Sequence, residues 1–150
     1  MKYRARVIAD LQDDELMAMA ETCALATLEY ESAPPGELSV AFVDNDRMQA
    51  FNRQFRGEDR PTDVLSFSDG SRDPDTDELY FGDVIIGLAV AEAQAAAAGH
   101  EVKSEIALLT VHGVLHLLGH DHGSGATKQT MWRAQSDILH RLNVKVKLPA

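Results

Sequence analysis

Residues 79–88, Leu-Tyr-Phe-Gly-Asp-Val-Ile-Ile-Gly-Leu, are followed without a break by an alanine-rich stretch that runs to Ala98. A run this long and apolar predicts a fully buried strand in the middle of a sheet, and such a strand needs helices packed over it. The alanine-rich stretch supplies one helix, ended by Gly99. Upstream, residues 3–9 alternate loosely and predict a first strand. The acidic residues 10–15 mark the first turn of a helix carrying Leu16, Met19, Cys23 and Leu28 at helical spacing, which stops before Pro34-Pro35-Gly36. Residues 37–44 are β-branched and apolar and predict a second strand; Asp44 or Asn45 then caps a short helix that Gly57 ends. Pro61 keeps the next turn extended before a strand at 63–67, and the polar residues 69–78 form a loop. Residues 101–118 predict a helix with an apolar stripe through Val102, Ile106, Leu109, Leu115 and Leu118, ended at Gly119. A last helix, about 126–142, packs through Met131, Ile138 and Leu142. Strands interspersed with helices, with no repeat or linker, indicate one α+β (α/β-like) domain over 1–150: a mixed sheet of about four strands packed with about five helices.

The composition agrees with such a domain. At 150 residues and 45% hydrophobic content the chain can bury a core without staples. Its single cysteine, Cys23, has no disulfide partner, lies among Ala, Leu and Met, and reads as a buried, inert thiol suited to a reducing cytoplasm. The N-terminus has only a three-residue apolar stretch, Val7–Ala9, and lacks the core of a signal peptide. Glu92 and Gln94 interrupt the longest apolar candidate well short of the ~20 residues of a spanning helix, so a soluble, cytoplasmic protein is expected. The net charge of −10 opposes the default electrostatics of a nucleic-acid binder. Any such function must rest on a local patch, and Arg47, Arg53, Arg56 and Arg60 provide one.

Four histidines crowd residues 111–122, Val-His-Gly-Val-Leu-His-Leu-Leu-Gly-His-Asp-His. His112 and His116 lie four apart on the helix and can present two imidazole nitrogens to one cation. Gly119 lets the chain turn back so that His122 approaches as the third ligand. Three nitrogen donors with no fourth protein ligand fit one catalytic Zn2+ per chain, with an open position for a water whose pKa falls to about 7. His120 is expected to back the ligands or face substrate, and is the alternative to His122 as ligand if the helix runs on; Asp121 either orients an imidazole, acts on the metal-bound water, or is a solvated loop carboxylate. His100 and His140 have no partners in sequence and are expected to be structural or solvated.

This is the ligand spacing of metzincin proteases, yet Gly113 stands where their catalytic Glu follows the first histidine. Peptide hydrolysis needs that base to deprotonate water and protonate a poor amine leaving group. Phosphodiester cleavage instead builds charge on nonbridging oxygens, which a cation and an arginine can stabilise. Arg56, just before Gly57, suits a phosphate clamp, since a planar guanidinium holds two oxygens at once. The plainer alternative for Arg56 is a surface ion pair with Glu58 or Asp59. Thr62 and Asp63 are expected to shape the turn into the strand, and Asp83 either supports the site or lies at the sheet edge.

Three motifs, Phe-Arg-Gly-x-Asp-x-Pro-Thr-Asp-Val-Leu-Ser-Phe at 55–67, Phe-Gly-Asp-Val at 81–84 and His-Gly-x-Leu-His-Leu-x-Gly-x-Asp-His at 112–122, resemble the bacterial YbeY family of rRNA maturation endoribonucleases. The resemblance runs over essentially the whole chain. It implies a zinc-dependent, single-strand-specific endoribonuclease in 16S rRNA 3′-end maturation and ribosome quality control. It places metal ligation on His112, His116 and His122 and an RNA-contacting or catalytic role on Arg56, and His116 is taken as catalytic as well as a ligand. The implied partners are single-stranded rRNA, the small ribosomal subunit and its assembly factors, with no DNA and no membrane. Two positions depart from the family's common pattern: His120 replaces a frequent tyrosine and Ser68 a frequent proline. The rival readings are a ribosome-assembly factor whose metal is mainly structural, and a metal hydrolase acting on another small substrate.

Overall fold

In the computed structural model, which describes residues 2–10, 12–121, 123 and 125–146, the first two helices start where side-chain caps place them. The elements run β1 (Tyr3–Ala9), α1 (Asp14–Tyr30), β2 (Gly36–Val43), α2 (Asn45–Arg56), β3 (Val64–Ser68), β4 (Leu79–Gly87), α3 (Leu88–Ala98), α4 (Val102–Leu117) and α5 (Gly125–Arg141). Asp13 begins α1 by accepting a hydrogen bond from the Leu16 amide at 3.1 Å. Asp44, rather than Asn45, begins α2 by accepting from the Arg47 amide at 2.9 Å. Gly57 closes α2 at φ 72°, a left-handed conformation that costs glycine little. The strand following it is shifted one residue from its expected bounds, because Asp63 turns the chain: its carboxylate accepts from its neighbour's amide, Val64 N, at 2.7 Å and its carbonyl from the Gly87 amide at 2.8 Å.

The four strands lie in the order β1-β2-β4-β3. β1 runs parallel to β2 and β2 parallel to β4, while β3 pairs antiparallel with β4 from Val64↔Ile86 to Ser68↔Gly82. The sheet is therefore mixed, and with five helices among the described residues the single-domain α+β fold is the one expected. β4 is an interior strand and buries Phe81, Val84, Ile85 and Ile86.

Apolar side chains gather in three layers. The largest cluster fills the space between the sheet and α1, α3 and α4, with Leu38, Val40, Val84, Ile86, Leu28, Ile106 and Val114 at its centre. Behind α4, a second joins Cys23 of α1 to Ala107, Val111 and Leu115 of α4 and to Met131, Ile138 and Leu139 of α5. Burial pushes the Cys23 thiol up from 9.0 to about 12, which keeps it protonated and unreactive. A smaller third cluster, Val43, Met48, Leu65 and Ile85, lies on the opposite sheet face under α2.

α4 is thus enclosed on nearly all sides rather than along one stripe. It buries Glu105, Ile106, Ala107, Leu109, Thr110, Val111, Gly113, Val114, Leu115 and Leu117, and a helix that is apolar all round is the kind that sits inside a fold. Its histidines are therefore held by packing on both flanks. No helix among the described residues is long and apolar enough to cross a membrane.

Candidate active site

The face that α4 presents to the sheet explains Gly113. A Cβ at this position would lie 2.5 Å from Cγ1 of Val84 and 3.2 Å from Oγ of Ser66. The Ser66 hydroxyl donates to the Gly113 carbonyl at 2.9 Å, so helix and sheet meet here backbone to side chain. A glutamate at 113 would drive into β4, which turns the missing base from an omission into a packing requirement.

Immediately before that contact and about one turn after it, α4 exposes His112 and His116 to a cleft of about 790 Å3. His112 and His116 line it together with Arg56, Asp63, Ser66 and, from α5, Trp132. The Nε2 atoms of His112 and His116 point at one another, 3.2 Å apart. Two imidazole nitrogens on one tetrahedral zinc, each roughly 2.0–2.1 Å from the metal, stand about 3.3 Å apart, so this pair fits a shared cation. Nδ1 of His112 donates to Oε1 of Gln135 at 3.0 Å, which leaves Nε2 as the lone-pair nitrogen on the cleft side. Gln135 is 4% exposed and lies 23 residues further along the chain. No spacing rule signals it; only the crossing of α5 over α4 does.

The remaining expected donor, His122, lies outside the described residues. Among the described residues, no group of three or more His, Cys, Asp or Glu side chains is gathered closely enough to hold a metal. Asp121 is exposed and accepts from the Gly123 amide at 3.1 Å, a loop-turn contact. Gly119 has φ 97°, the left-handed turn its position predicts. His120 does not line the cleft: its Nε2 meets the Glu31 carboxylate, tying the turn after α4 to the end of α1.

Arg56 reaches the cleft from the last turn of α2, and the expected surface pair with Glu58 or Asp59 is not what forms. Glu58 pairs with Arg60 at 3.2 Å and Asp59 with Arg53 at 4.0 Å, while Arg47 pairs with Asp10 at 2.5 Å. Three of the four arginines in the basic window are thus partnered by acids. Among the described residues, the Arg56 guanidinium has neither ion pair nor hydrogen bond. It is positioned through Phe55, whose ring meets Phe67 of β3 edge-on at 4.9 Å.

Two further expectations change. Asp83 is on an interior strand, not a sheet edge, and it is paired with Phe67 on the α2 side. There it accepts from the Tyr80 hydroxyl at 2.5 Å, facing away from the histidines. His100 is structural as expected, but it has a partner. Its Nε2 and the buried Glu105 carboxylate are 2.7 Å apart in the cleft wall, a five-residue contact across the start of α4. His140 is exposed in the last turn of α5.

A family model described as Endoribonuclease YbeY matches residues 4–143. The chain belongs to the YbeY family. Among curated relatives named Endoribonuclease YbeY, one from Geobacillus kaustophilus is 43% identical over 136 residues, covering 84% of this chain and 83% of the relative. One from Carboxydothermus hydrogenoformans is 42% identical over 142 residues, covering 92% and 97%. The solution structure of TM1509 from Thermotoga maritima superposes with a TM-score of 0.61 over 93% of this chain and 91% of that one. At 22% identity that likeness speaks for the fold alone. The residues matched to the YbeY family include the cleft walls contributed by α2, β3, α4 and α5.

Proposed function

We propose that the chain is a zinc-dependent endoribonuclease of single-stranded RNA whose working unit is the single domain 1–150. Its task in this reading is 16S rRNA 3′-end maturation and ribosome quality control in the cytoplasm, alongside the small ribosomal subunit and its assembly factors. The family's relatives carry the name endoribonuclease, and such enzymes cleave phosphodiester bonds. One observation carries the reading to this chain: a guanidinium without an acidic partner among the described residues shares a cleft with two histidine nitrogens spaced for one cation.

His112, His116 and His122 would hold the zinc, and Gln135 keeps His112 in the tautomer whose Nε2 carries the lone pair. When bound, zinc supplies a Lewis acid for charge developing on the phosphate and lowers the pKa of a coordinated water. Arg56 grips the nonbridging oxygens and orients the scissile phosphate, at a point where a rigid bidentate donor contributes more than a flexible ammonium. His120, engaged by Glu31, braces the turn that leads to His122, and Asp121 shapes the same turn.

Cleavage of a single-stranded RNA oligonucleotide by purified protein, with chelator and after zinc is restored, tests the reading. Elemental analysis should find about one zinc per chain, and His116→Ala should lose both zinc and cleavage while keeping the wild-type circular dichroism. Cleavage that survives chelation or the His116 substitution would overturn the proposal. In cells lacking the protein, 16S 3′ ends should be restored by wild type and not by His116→Ala. A second reading, an assembly factor with a mainly structural metal, is favoured by the net charge of −10 and by the neutralised arginines around Arg56. It predicts that Arg56→Ala protein, folded and metal-loaded, still supports rRNA processing.

A further inference from the structure

Trp132 is the chain's single tryptophan and sits partly buried on α5, in the wall of the cleft that holds His112, His116 and Arg56. Large aromatic side chains stabilise a fold by entering its core, yet among the described residues Trp132 belongs to none of the three apolar clusters. Its α5 neighbours Met131, Ala134 and Ile138 face the core instead. The Nζ of Lys128, one turn earlier, lies 4.5 Å from the ring centroid. Gln135, three residues later, touches His112. Positions 128, 132 and 135 follow one another along one side of a helix. This side therefore carries a cation, an aromatic ring and the hydrogen-bond partner of a cleft-lining imidazole.

Resting on the reading of this cleft as a ribonuclease site, we propose that Trp132 stacks a nucleobase of the RNA strand next to the scissile phosphate, with Nζ of Lys128 moving off the ring onto the adjoining backbone. An RNA strand between Arg56 on one wall and Trp132 on the other would pass over the histidines. A chain with a net charge of −10 and a largely neutralised arginine window holds a polyanion poorly by charge alone. Stacking does not depend on charge and tolerates any base, because every base has a π-face. A stacked base must be unpaired, so the same ring favours single strands over duplexes.

Because no other tryptophan is present, emission reports on this site alone. The zinc-loaded full chain is titrated with a single-stranded RNA decamer while tryptophan fluorescence is read, and a fluorescein-labelled decamer is followed by anisotropy in parallel. Quenching should saturate together with anisotropy, and a decamer made abasic at every position should bind without quenching. Trp132→Ala should weaken binding roughly 5- to 150-fold, the range for loss of one stacked base, whereas Trp132→Phe should stay within about threefold of wild type. Binding by anisotropy with unchanged emission, or wild-type affinity in Trp132→Ala, removes the stacking site and leaves the ribonuclease reading standing. A decamer that neither binds nor is cleaved overturns both.

Discussion

α4 and α2 both deliver polar groups to one cleft, and they are built in opposite ways. α4 buries ten of its sixteen residues and is pressed between the sheet and α5. α2 buries only Met48 and Asn52 of its twelve and is held by its caps, by Met48 in the small cluster beneath it and by an aromatic contact at its end. The histidines therefore rest on a floor whose position is set by close packing, while Arg56 stands on a rim set by local hydrogen bonds. If the proposed reading holds, such rigid placement would suit donors sharing one cation, where a small displacement breaks the coordination geometry. In the same proposal, a guanidinium that closes on an arriving phosphate would tolerate a looser mount.

Substitutions can break this contrast. Gly113→Ala should give the largest loss of stability, about 1–3 kcal/mol by urea denaturation, because the added methyl meets Val84. The better helix propensity of alanine, worth up to ~1 kcal/mol, opposes this without cancelling a 2.5 Å approach. Val84→Ala in the same chain should recover part of the loss, and a Gly113→Ala protein as stable as wild type would show that the floor is not tight. Gly113→Glu should be worse than Gly113→Ala and should not create a protease, which incubation with casein would check.

On the rim the effects should be smaller. Asp44→Ala removes the α2 cap and should cost about 1 kcal/mol, with Asp44→Ser restoring most of it. Arg56→Ala should leave stability within about 0.5 kcal/mol of wild type, since the guanidinium makes no contact among the described residues that unfolding would lose. Its RNA cleavage should nevertheless fall on the order of 100-fold or more if it grips the phosphate as proposed. A large loss of stability with unchanged cleavage would reverse the roles given to floor and rim.

Element positions were legible because their determinants are local. Asp13, Asp44, Gly57 and Gly99 mark helix ends through hydrogen bonds and dihedral angles spanning a few residues. The pairing of His112 with His116 was legible for the same reason, since a helix turns residues four apart onto one face. Reading α4 as one apolar stripe fell short because periodicity cannot show that a second helix layer covers the other flank. The basic window was overestimated. Asp10 neutralises Arg47 across an intervening helix and strand, a distance along the chain that sequence does not bridge.

The sequence by itself determined the family, the order of strands and helices, and the two histidines that can share a cation. All of these follow from short-range geometry or from motifs written in consecutive residues. Only the tertiary structure decided why position 113 is glycine, which amide holds His112, and that Arg56 and Trp132 face one cleft. Those depend on where α4 crosses the sheet and α5 crosses α4, and helix crossings are set by side-chain packing between segments far apart in the chain.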